Sequence, residues 1–202
     1  MTSATWITRG DLAGLACPYC GRTVRPDADW AVAAQHAWGR VGVALSSGSR
    51  TSGLMLLAPS PQEQAAMVMC LWVAPGSVRR GYGRRLVQAG AAGMLARDVH
   101  AIVARGSRVK KHCSTPPTEF LKAVGFTKPL DGQLGSALRP SPTLNRPGHA
   151  SDVDDTRLNR LWRLDLDATI VERPGLFEML QQWVGSIRPI GPAAAGRVSR
   201  EG

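Results

Sequence analysis

Apolar residues between positions 41 and 73 occur in short runs rather than at helical spacing. The runs VGVALS and GLMLLA are separated by the polar stretch SGSRTS, which predicts two antiparallel strands joined as a hairpin. The next run, AAMVMCLWV, is apolar throughout and is soon followed by Pro75. It therefore predicts a strand that is covered on both faces.

The period of the pattern changes after this strand. Between residues 81 and 99, leucine, valine and methionine recur at roughly helical spacing, and residues 100–104 predict another buried strand. A strand, a glycine-rich turn, a helix and a strand in this order form a βαβ-type unit. Two further helices are predicted, over residues 29–39 with Asp29 as the N-cap, and over TPPTEFLKAVGF, where prolines precede the helix and Gly125 ends it.

The two ends of the chain extend this pattern. Residues 5–9 predict an opening strand followed by a helical turn near Asp11. The stretch LWRLDLD alternates apolar and polar residues, which predicts a strand with one solvent-exposed face. Apolar residues from Leu176 onward predict a terminal amphipathic helix. Residues 127–156 are rich in glycine and proline and predict a flexible loop or insertion, and residues 191–202 predict a disordered tail. We predict one α/β (α+β) domain over residues 1–190.

The composition agrees with one folded domain, since the chain has 202 residues and 44% of them are hydrophobic. No apolar run approaches the roughly 20 residues that cross a bilayer, and the N-terminus lacks the pattern of a signal peptide. We therefore expect no membrane association and a cytoplasmic location. The sequence does not indicate an oligomeric state.

The net charge of +10 is concentrated in one segment. Residues 65–127 contain ten Lys or Arg and two acids, so this segment carries +8. A polyanionic small ligand, an acidic protein surface or RNA would each be attracted to such a local field.

The turn at residues 74–85, APGSVRRGYGRR, is the clearest chemical feature of this basic segment. Gly81 and Gly83 allow backbone N–H groups to approach an anion at the start of a helix, where unpaired N–H groups and the helix dipole favour phosphate. The simpler alternative is a solvated helix start. Neither G-x-G-x-x-G nor the Walker sequence G-x-x-x-x-G-K-[ST] is present in this turn.

The stretch LWVAPGSVRRGYGRRL resembles the acetyl-CoA motif of GCN5-related N-acetyltransferases (GNAT), written [Q/R]-x-x-G-x-[G/A]. Gly81 and Gly83 match its glycines, and Val78 stands where the motif has Gln or Arg. A second family motif, an aromatic helix ending in G-F, is matched by Phe120 to Phe126. The N-terminal C-x-x-C is also similar to that of an actinobacterial subgroup of the family. The resemblance implies a mixed, mostly antiparallel and splayed sheet flanked by helices.

The resemblance also implies an activity and a cofactor site. The expected reaction transfers an acetyl group from acetyl-CoA to a primary amine of a small molecule or protein by direct attack on the thioester. The pantetheine arm is expected on the end of the fourth strand and the pyrophosphate on the glycine turn. The implied cofactor-binding residues are Leu71, Trp72, Val73, Arg79, Arg80, Gly81, Tyr82, Gly83 and Arg84.

The catalytic residues are not assigned by the sequence. Leu121 stands where the family usually has a tyrosine that acts as the acid. The remaining titratable candidates for the acid or base are His112, Cys113, Glu119 and Glu63. The departure at Leu121 motivates an alternative function, a protein of the GNAT fold that binds acyl-CoA for interaction or sensing with little catalysis. A nucleic-acid-binding protein is a further alternative, which the concentration of the charge in one segment disfavours.

The four cysteines do not form a secreted disulfide pattern. Cys17 and Cys20 have the C-x-x-C spacing of a zinc knuckle or a redox pair, but no second C-x-x-C or H-x-x-x-H accompanies them. We therefore predict two thiols without a metal. A zinc site that adds Cys113 or His112 is the alternative.

Overall fold

The computed structural model describes residues 2–47, 50–108, 113–128 and 160–167. Within these residues, six strands form one sheet in sequential order. The strands are β1 (Ser3–Ile7), β2 (Gly42–Ser47), β3 (Arg50–Pro59), β4 (Ala65–Val73), β5 (Ala101–Gly106) and β6 (Arg160–Asp165). Neighbouring strands are antiparallel except β4 and β5, which are parallel. The predicted mixed, mostly antiparallel α/β fold is confirmed.

Strands β4 and β5 pair over a short length only. Their register runs from Ala65 with Ala101 to Met67 with Val103. Two residues further along β4 the register with β3 shifts, because Leu57 pairs with Val68 and Leu56 pairs with Cys70, which leaves Met69 as an extra residue. A bulge of this kind bends a strand and increases its local twist. Beyond Met67 the two strands therefore separate and leave an open slot along the edge of β4, as the resemblance implied.

Three helices connect and cover the sheet in the described part of the chain: α1 (Asp29–Trp38), α2 (Tyr82–Leu95) and α3 (Thr118–Ala123). Helix α2 forms the crossover between the parallel strands β4 and β5, which completes the predicted βαβ unit. Asp29 is the first residue of α1 rather than its N-cap, which is Ala28. The N-cap prediction is therefore wrong by one residue. The extended residue before the helix is Ala28, whose methyl side chain cannot accept the capping hydrogen bond that the prediction assumed.

Both faces of the sheet are buried, which explains the continuously apolar β4. Leu71 packs on one face with α2, α3 and β6, through residues such as Leu86, Leu121 and Leu164. Trp72 packs on the other face with α1 and the N-terminal segment. Trp162, Leu164 and Leu166 are buried while Asp165 is exposed, so the predicted alternation of LWRLDLD is confirmed.

Several predictions concern residues outside the described part of the chain. The terminal helix from Leu176, the tail at 191–202 and nearly all of the predicted loop at 127–156 belong to this group. The extent of the single domain, residues 1–190, stays a prediction. No helix in the described ranges combines the length and the apolar character that a membrane span needs.

Candidate functional site

The slot beside β4 is lined by backbone groups of two residues. The Ala74 N–H donates to the Ser52 carbonyl at 2.8 Å, so every second residue of this part of β4 bonds toward β3. Because antiparallel pairs alternate, the N–H and C=O groups of Leu71 and Val73 point to the other edge, into the slot. The backbone of Trp72 points toward β3. Of the three predicted residues on this strand, two therefore offer backbone groups to a ligand.

Two of the four backbone groups on this edge already have partners. The Leu71 N–H donates to the Cys113 carbonyl at 2.7 Å. The Tyr19 hydroxyl donates to the Val73 carbonyl at 2.6 Å. Within the described residues, the Val73 N–H and the Leu71 carbonyl have no hydrogen-bond partner. Tyr19 was not predicted as part of the site, since its place between Cys17 and Cys20 is its only distinguishing feature in the sequence.

The glycine turn follows directly from this edge. Residues Pro75–Ser77 form one turn of 3-10 helix, after which Arg79 and Gly81 adopt left-handed conformations with φ of 64° and 77°. Helix α2 begins at Tyr82 with Gly81 as its N-cap. A left-handed φ strains residues that carry a Cβ, so glycine is the favoured residue at position 81.

The left-handed residues expose a series of consecutive backbone donors. The N–H groups of Ser77 and Val78 bond within the 3-10 turn, and the N–H of Arg85 bonds to the Gly81 carbonyl. The N–H groups of residues 79–84, between them, have no partner among the described residues. The first N–H groups of any helix lack intrahelical acceptors, and a turn that alternates left- and right-handed residues forms an anion-binding concavity. This segment can bind a phosphate group through its backbone.

The side chains of the turn divide into two groups. Arg79, Arg80 and Arg84 are exposed, and only Arg84 makes a described contact, a 3.4 Å hydrogen bond to the Ala123 carbonyl. Tyr82 and Arg85 instead hold the N-terminus of the chain. The Tyr82 hydroxyl lies 2.8 Å from the Thr2 hydroxyl, and Arg85 donates to the Thr2 carbonyl at 2.9 Å. The exposed arginines can therefore add charge around a bound phosphate, while Tyr82 packs.

Gly83 has a packing role that the sequence did not indicate. A Cβ on this residue would lie 2.8 Å from Cε2 of Phe120 on α3. The glycine thus allows the aromatic helix to lie against the start of α2, which brings the two recognised motifs together. Leu121, the next residue, is fully buried, and its side chain lies near Gly106 on β5. The position where the family usually has a tyrosine therefore belongs to the core.

The candidate acids and bases are dispersed. Glu63 precedes β4, and the six residue steps from Ala65 to Leu71 span about 20 Å at about 3.3 Å per residue, so Glu63 lies far from the Leu71 end of the slot. Glu119 is exposed on α3 and pairs with Lys122 at 2.9 Å. His112 lies outside the described residues. Cys113 adjoins the slot, but burial and the thiols of Cys17 and Cys20 raise its pKa to about 12, which disfavours the thiolate at neutral pH.

The cysteines converge in the folded chain. The sulfur atoms of Cys17, Cys20 and Cys113 all lie within 4.8 Å of one another. Cys70, on β4, is buried and precedes Leu71, whose N–H donates to the Cys113 carbonyl. Burial, with the neighbouring thiols, raises the pKa of Cys70, whereas a hydrogen bond from the Arg22 backbone lowers that of Cys20. The sequence showed only the C-x-x-C pair, because the other two cysteines are distant along the chain.

Comparison with known proteins supports the fold. No protein-family model matches the chain, and no curated protein matches it either. Among solved structures, an acetyltransferase of the GNAT family from Staphylococcus aureus Mu50 superposes with a TM-score of 0.55 at 12% identity, over 82% of this chain and 99% of that chain.

A second structure, N-acetylglutamate synthase from Neisseria gonorrhoeae complexed with coenzyme A and N-acetyl-glutamate, superposes with a TM-score of 0.53. The identity is 16%, over 82% of this chain and 35% of that chain, so this chain spans about a third of the synthase. At such low identities the two superpositions show a shared fold alone: the chain has the fold of the GNAT acetyltransferases.

Proposed function

We propose that the chain is an N-acetyltransferase that uses acetyl-CoA as the donor and a primary amine as the acceptor. One observation carries the proposal. The consecutive N–H groups of residues 79–84 have no partner in the described part of the chain, and they follow directly from the open edge of β4. A ligand that ends in a pyrophosphate and continues as an extended amide chain fits this order of groups.

Each part of acetyl-CoA has a complementary group in this arrangement. The pyrophosphate would accept hydrogen bonds from the N–H groups of residues 79–84, with Arg79, Arg80 and Arg84 supplying charge. The pantetheine arm would pair with β4 through the Val73 N–H and the Leu71 carbonyl. The coenzyme A that the gonococcal synthase structure contains supports this choice of donor.

The chemistry requires a neutral amine at the thioester. The amine nitrogen attacks the carbonyl carbon, a tetrahedral oxyanion forms, and the C–S bond breaks to release coenzyme A as a thiolate while the nitrogen loses its proton. A thiol has a pKa of about 8.5 in water, so the thiolate is a good leaving group near neutral pH. The absence of a tyrosine at Leu121 is therefore compatible with turnover.

The donor site is tested by calorimetric titration of the protein with acetyl-CoA. The double variant Arg79→Glu/Arg80→Glu should weaken binding at least tenfold, about 1.4 kcal/mol, because it places two negative charges beside the phosphates. Arg9→Glu, a change of an exposed arginine after β1, is the control and should bind as the unchanged protein does. Equal affinities for both variants would contradict the site.

Acetyl transfer is tested with a panel of small primary amines and lysine peptides. Mass spectrometry should detect an acetylated amine, and chromatography should detect free coenzyme A. A thiol reagent is unsuitable because the protein itself contains four cysteine thiols and no disulfide in the described residues. Failure to bind acetyl-CoA at any concentration reached would overturn the proposal.

A second candidate function is favoured by the contacts within the slot. The Leu71 N–H and the Val73 carbonyl are already bonded to Cys113 and Tyr19, and the position of the usual acid is buried. Both facts would suit a protein that binds acyl-CoA as an interaction or sensing module. Saturable binding of acetyl-CoA without an acetylated product across the whole panel would identify this function.

A further inference from the structure

Four cysteines from three separate parts of the chain meet beside the end of β4. Cys17 and Cys20 come from the loop between β1 and α1, Cys70 from β4, and Cys113 from the segment that follows β5. The sulfur atoms of Cys17, Cys20 and Cys113 lie within 4.8 Å of one another. The remaining cysteine, Cys70, is buried on β4 next to Leu71, whose N–H bonds to the Cys113 carbonyl at 2.7 Å, and its sulfur lies outside this group of three.

The loop that carries the C-x-x-C pair is a tight hairpin. Ala16 and Thr23 form an antiparallel bridge, the Cys17 N–H donates to the Arg22 carbonyl at 3.0 Å, and the Gly21 N–H donates to the Cys17 carbonyl at 2.9 Å. Gly21 closes the turn in a left-handed conformation with φ of 66°. The backbone of Arg22 also donates a hydrogen bond to the Cys20 sulfur. Such hydrogen bonds orient thiolate ligands around a metal.

The spacing of one sulfur pair matches a tetrahedral metal centre. Zinc–sulfur bonds of about 2.3 Å in a regular tetrahedron separate the sulfur atoms by about 3.8 Å. The Cys20 and Cys113 sulfur atoms are 3.7 Å apart. Thiolates are soft ligands that select zinc or iron over magnesium and calcium, and structural zinc sites have four ligands drawn from cysteine and histidine.

We propose that Cys17, Cys20, Cys70 and Cys113 bind one structural Zn²⁺ ion as four thiolates. Binding forms four zinc–sulfur bonds and releases the four thiol protons to solvent. The ion would tie the N-terminal hairpin and the segment after β5 to the end of β4. It would thereby hold Tyr19 on the Val73 carbonyl and the Cys113 carbonyl on the Leu71 N–H. The site supports the edge of the slot and does not depend on the proposed acetyl transfer.

The first experiment measures metal in the unchanged protein, produced with zinc in the growth medium and purified without chelator. Elemental analysis should find one zinc per chain that survives dialysis, and a thiol reagent should react with the cysteines only after a strong chelator is added. Replacement of zinc by Co²⁺ should give the thiolate-to-metal absorption of a four-sulfur tetrahedral site. This spectrum counts the sulfur ligands without any substitution that could unfold the protein.

The second experiment assigns the ligands. Each of Cys17→Ser, Cys20→Ser and Cys113→Ser should lose most of the bound zinc, and Cys70→Ser should weaken zinc binding and change the cobalt spectrum. His36→Asn, which changes an exposed histidine on α1, is the control and should keep one zinc per chain. His112→Asn should also keep it.

Three results would overturn the proposal. The first is a protein that stays free of zinc despite supplementation and whose cysteines react fully with the thiol reagent. The second is a protein that contains iron instead of zinc. The third is the loss of zinc in His112→Asn together with its full retention in Cys70→Ser, since the fourth ligand would then be the histidine.

Discussion

The contact between Gly83 and Phe120 determines how α3 lies on the glycine turn, and it can be tested by Gly83→Ala. The added Cβ would lie 2.8 Å from Cε2 and 3.1 Å from Cζ of the Phe120 ring. Carbon atoms in contact prefer about 3.5–4.0 Å, so the ring or the helix must move by roughly 0.7 Å or more. Overpacking of this size costs about 1–3 kcal/mol of unfolding free energy.

The gain from alanine in a helix opposes this cost. Alanine is favoured over glycine by up to about 1 kcal/mol in a helix interior, so the net loss in the unchanged background should be about 1–2 kcal/mol. Phe120→Leu removes the two ring atoms that the Cβ would meet. In that background Gly83→Ala should be neutral or stabilising, which gives a coupling energy of about 1–3 kcal/mol between the two positions.

Urea unfolding of the unchanged protein, the two single variants and the double variant measures this coupling. The comparison requires that the dependence of the unfolding free energy on urea concentration, the m-value, is the same in all four. The loss in Gly83→Ala should lower the melting temperature by about 2–4 °C per kcal/mol. Gly76→Ala is the matched control, because a Cβ there would meet nothing within 4 Å. If Gly83→Ala has the same effect with phenylalanine and with leucine at position 120, the packing explanation is wrong.

Three further predictions concern the glycine turn and the segment between α2 and β5. Gly81→Ala should weaken acetyl-CoA binding about tenfold by calorimetry, because alanine costs about 1–2 kcal/mol at the φ of 77°; an unchanged affinity would exclude a role for this backbone. Arg97→Ala should lower the unfolding free energy by about 2 kcal/mol in urea, since Arg97 donates to Trp38 and Gly93 carbonyls at 3.1 and 2.7 Å, and a loss below about 0.5 kcal/mol would refute this. Hydrogen bonds to Asp167 and Asp98 raise the pKa of His100 above 6.5. The stabilising contribution of His100 should therefore be complete below about pH 6.5 and lost as the pH rises through the folded-state pKa. His100→Asn should make the urea midpoint vary less with pH over this range, and an unaltered plot of midpoint against pH would contradict the assignment.

The described strands and helices and the glycine turn could be predicted because their causes are local. Continuous apolar residues from Ala65 to Val73 predicted β4, and helical spacing after residue 81 predicted α2. The turn between them depends on the conformations of a few neighbouring residues. One of these is Gly81, a glycine at a position that needs a left-handed conformation. The N–H groups of residues 79–84 lack partners in the described chain, and their binding of pyrophosphate stays a prediction.

Other features of the candidate site could not be predicted, because they depend on register and on distant segments. The bulge at Met69 has no signature in an entirely apolar strand, yet it determines which backbone groups face the slot. Nothing in the sequence around the C-x-x-C pair placed Tyr19 on the Val73 carbonyl. The position of Glu63, before the start of β4 and away from Leu71, likewise depends on the direction of that strand.

The sequence by itself determined the strand, the turn and the helix that form the proposed cofactor site, because residues close along the chain set their own backbone conformation. Only the tertiary structure brought Cys113 to within 3.7 Å of Cys20, which is 93 positions away. Loops far apart in the chain meet only after the sheet has fixed the strand order and the open edge of β4. A cluster assembled in this way has no spacing in the sequence by which it could be recognised.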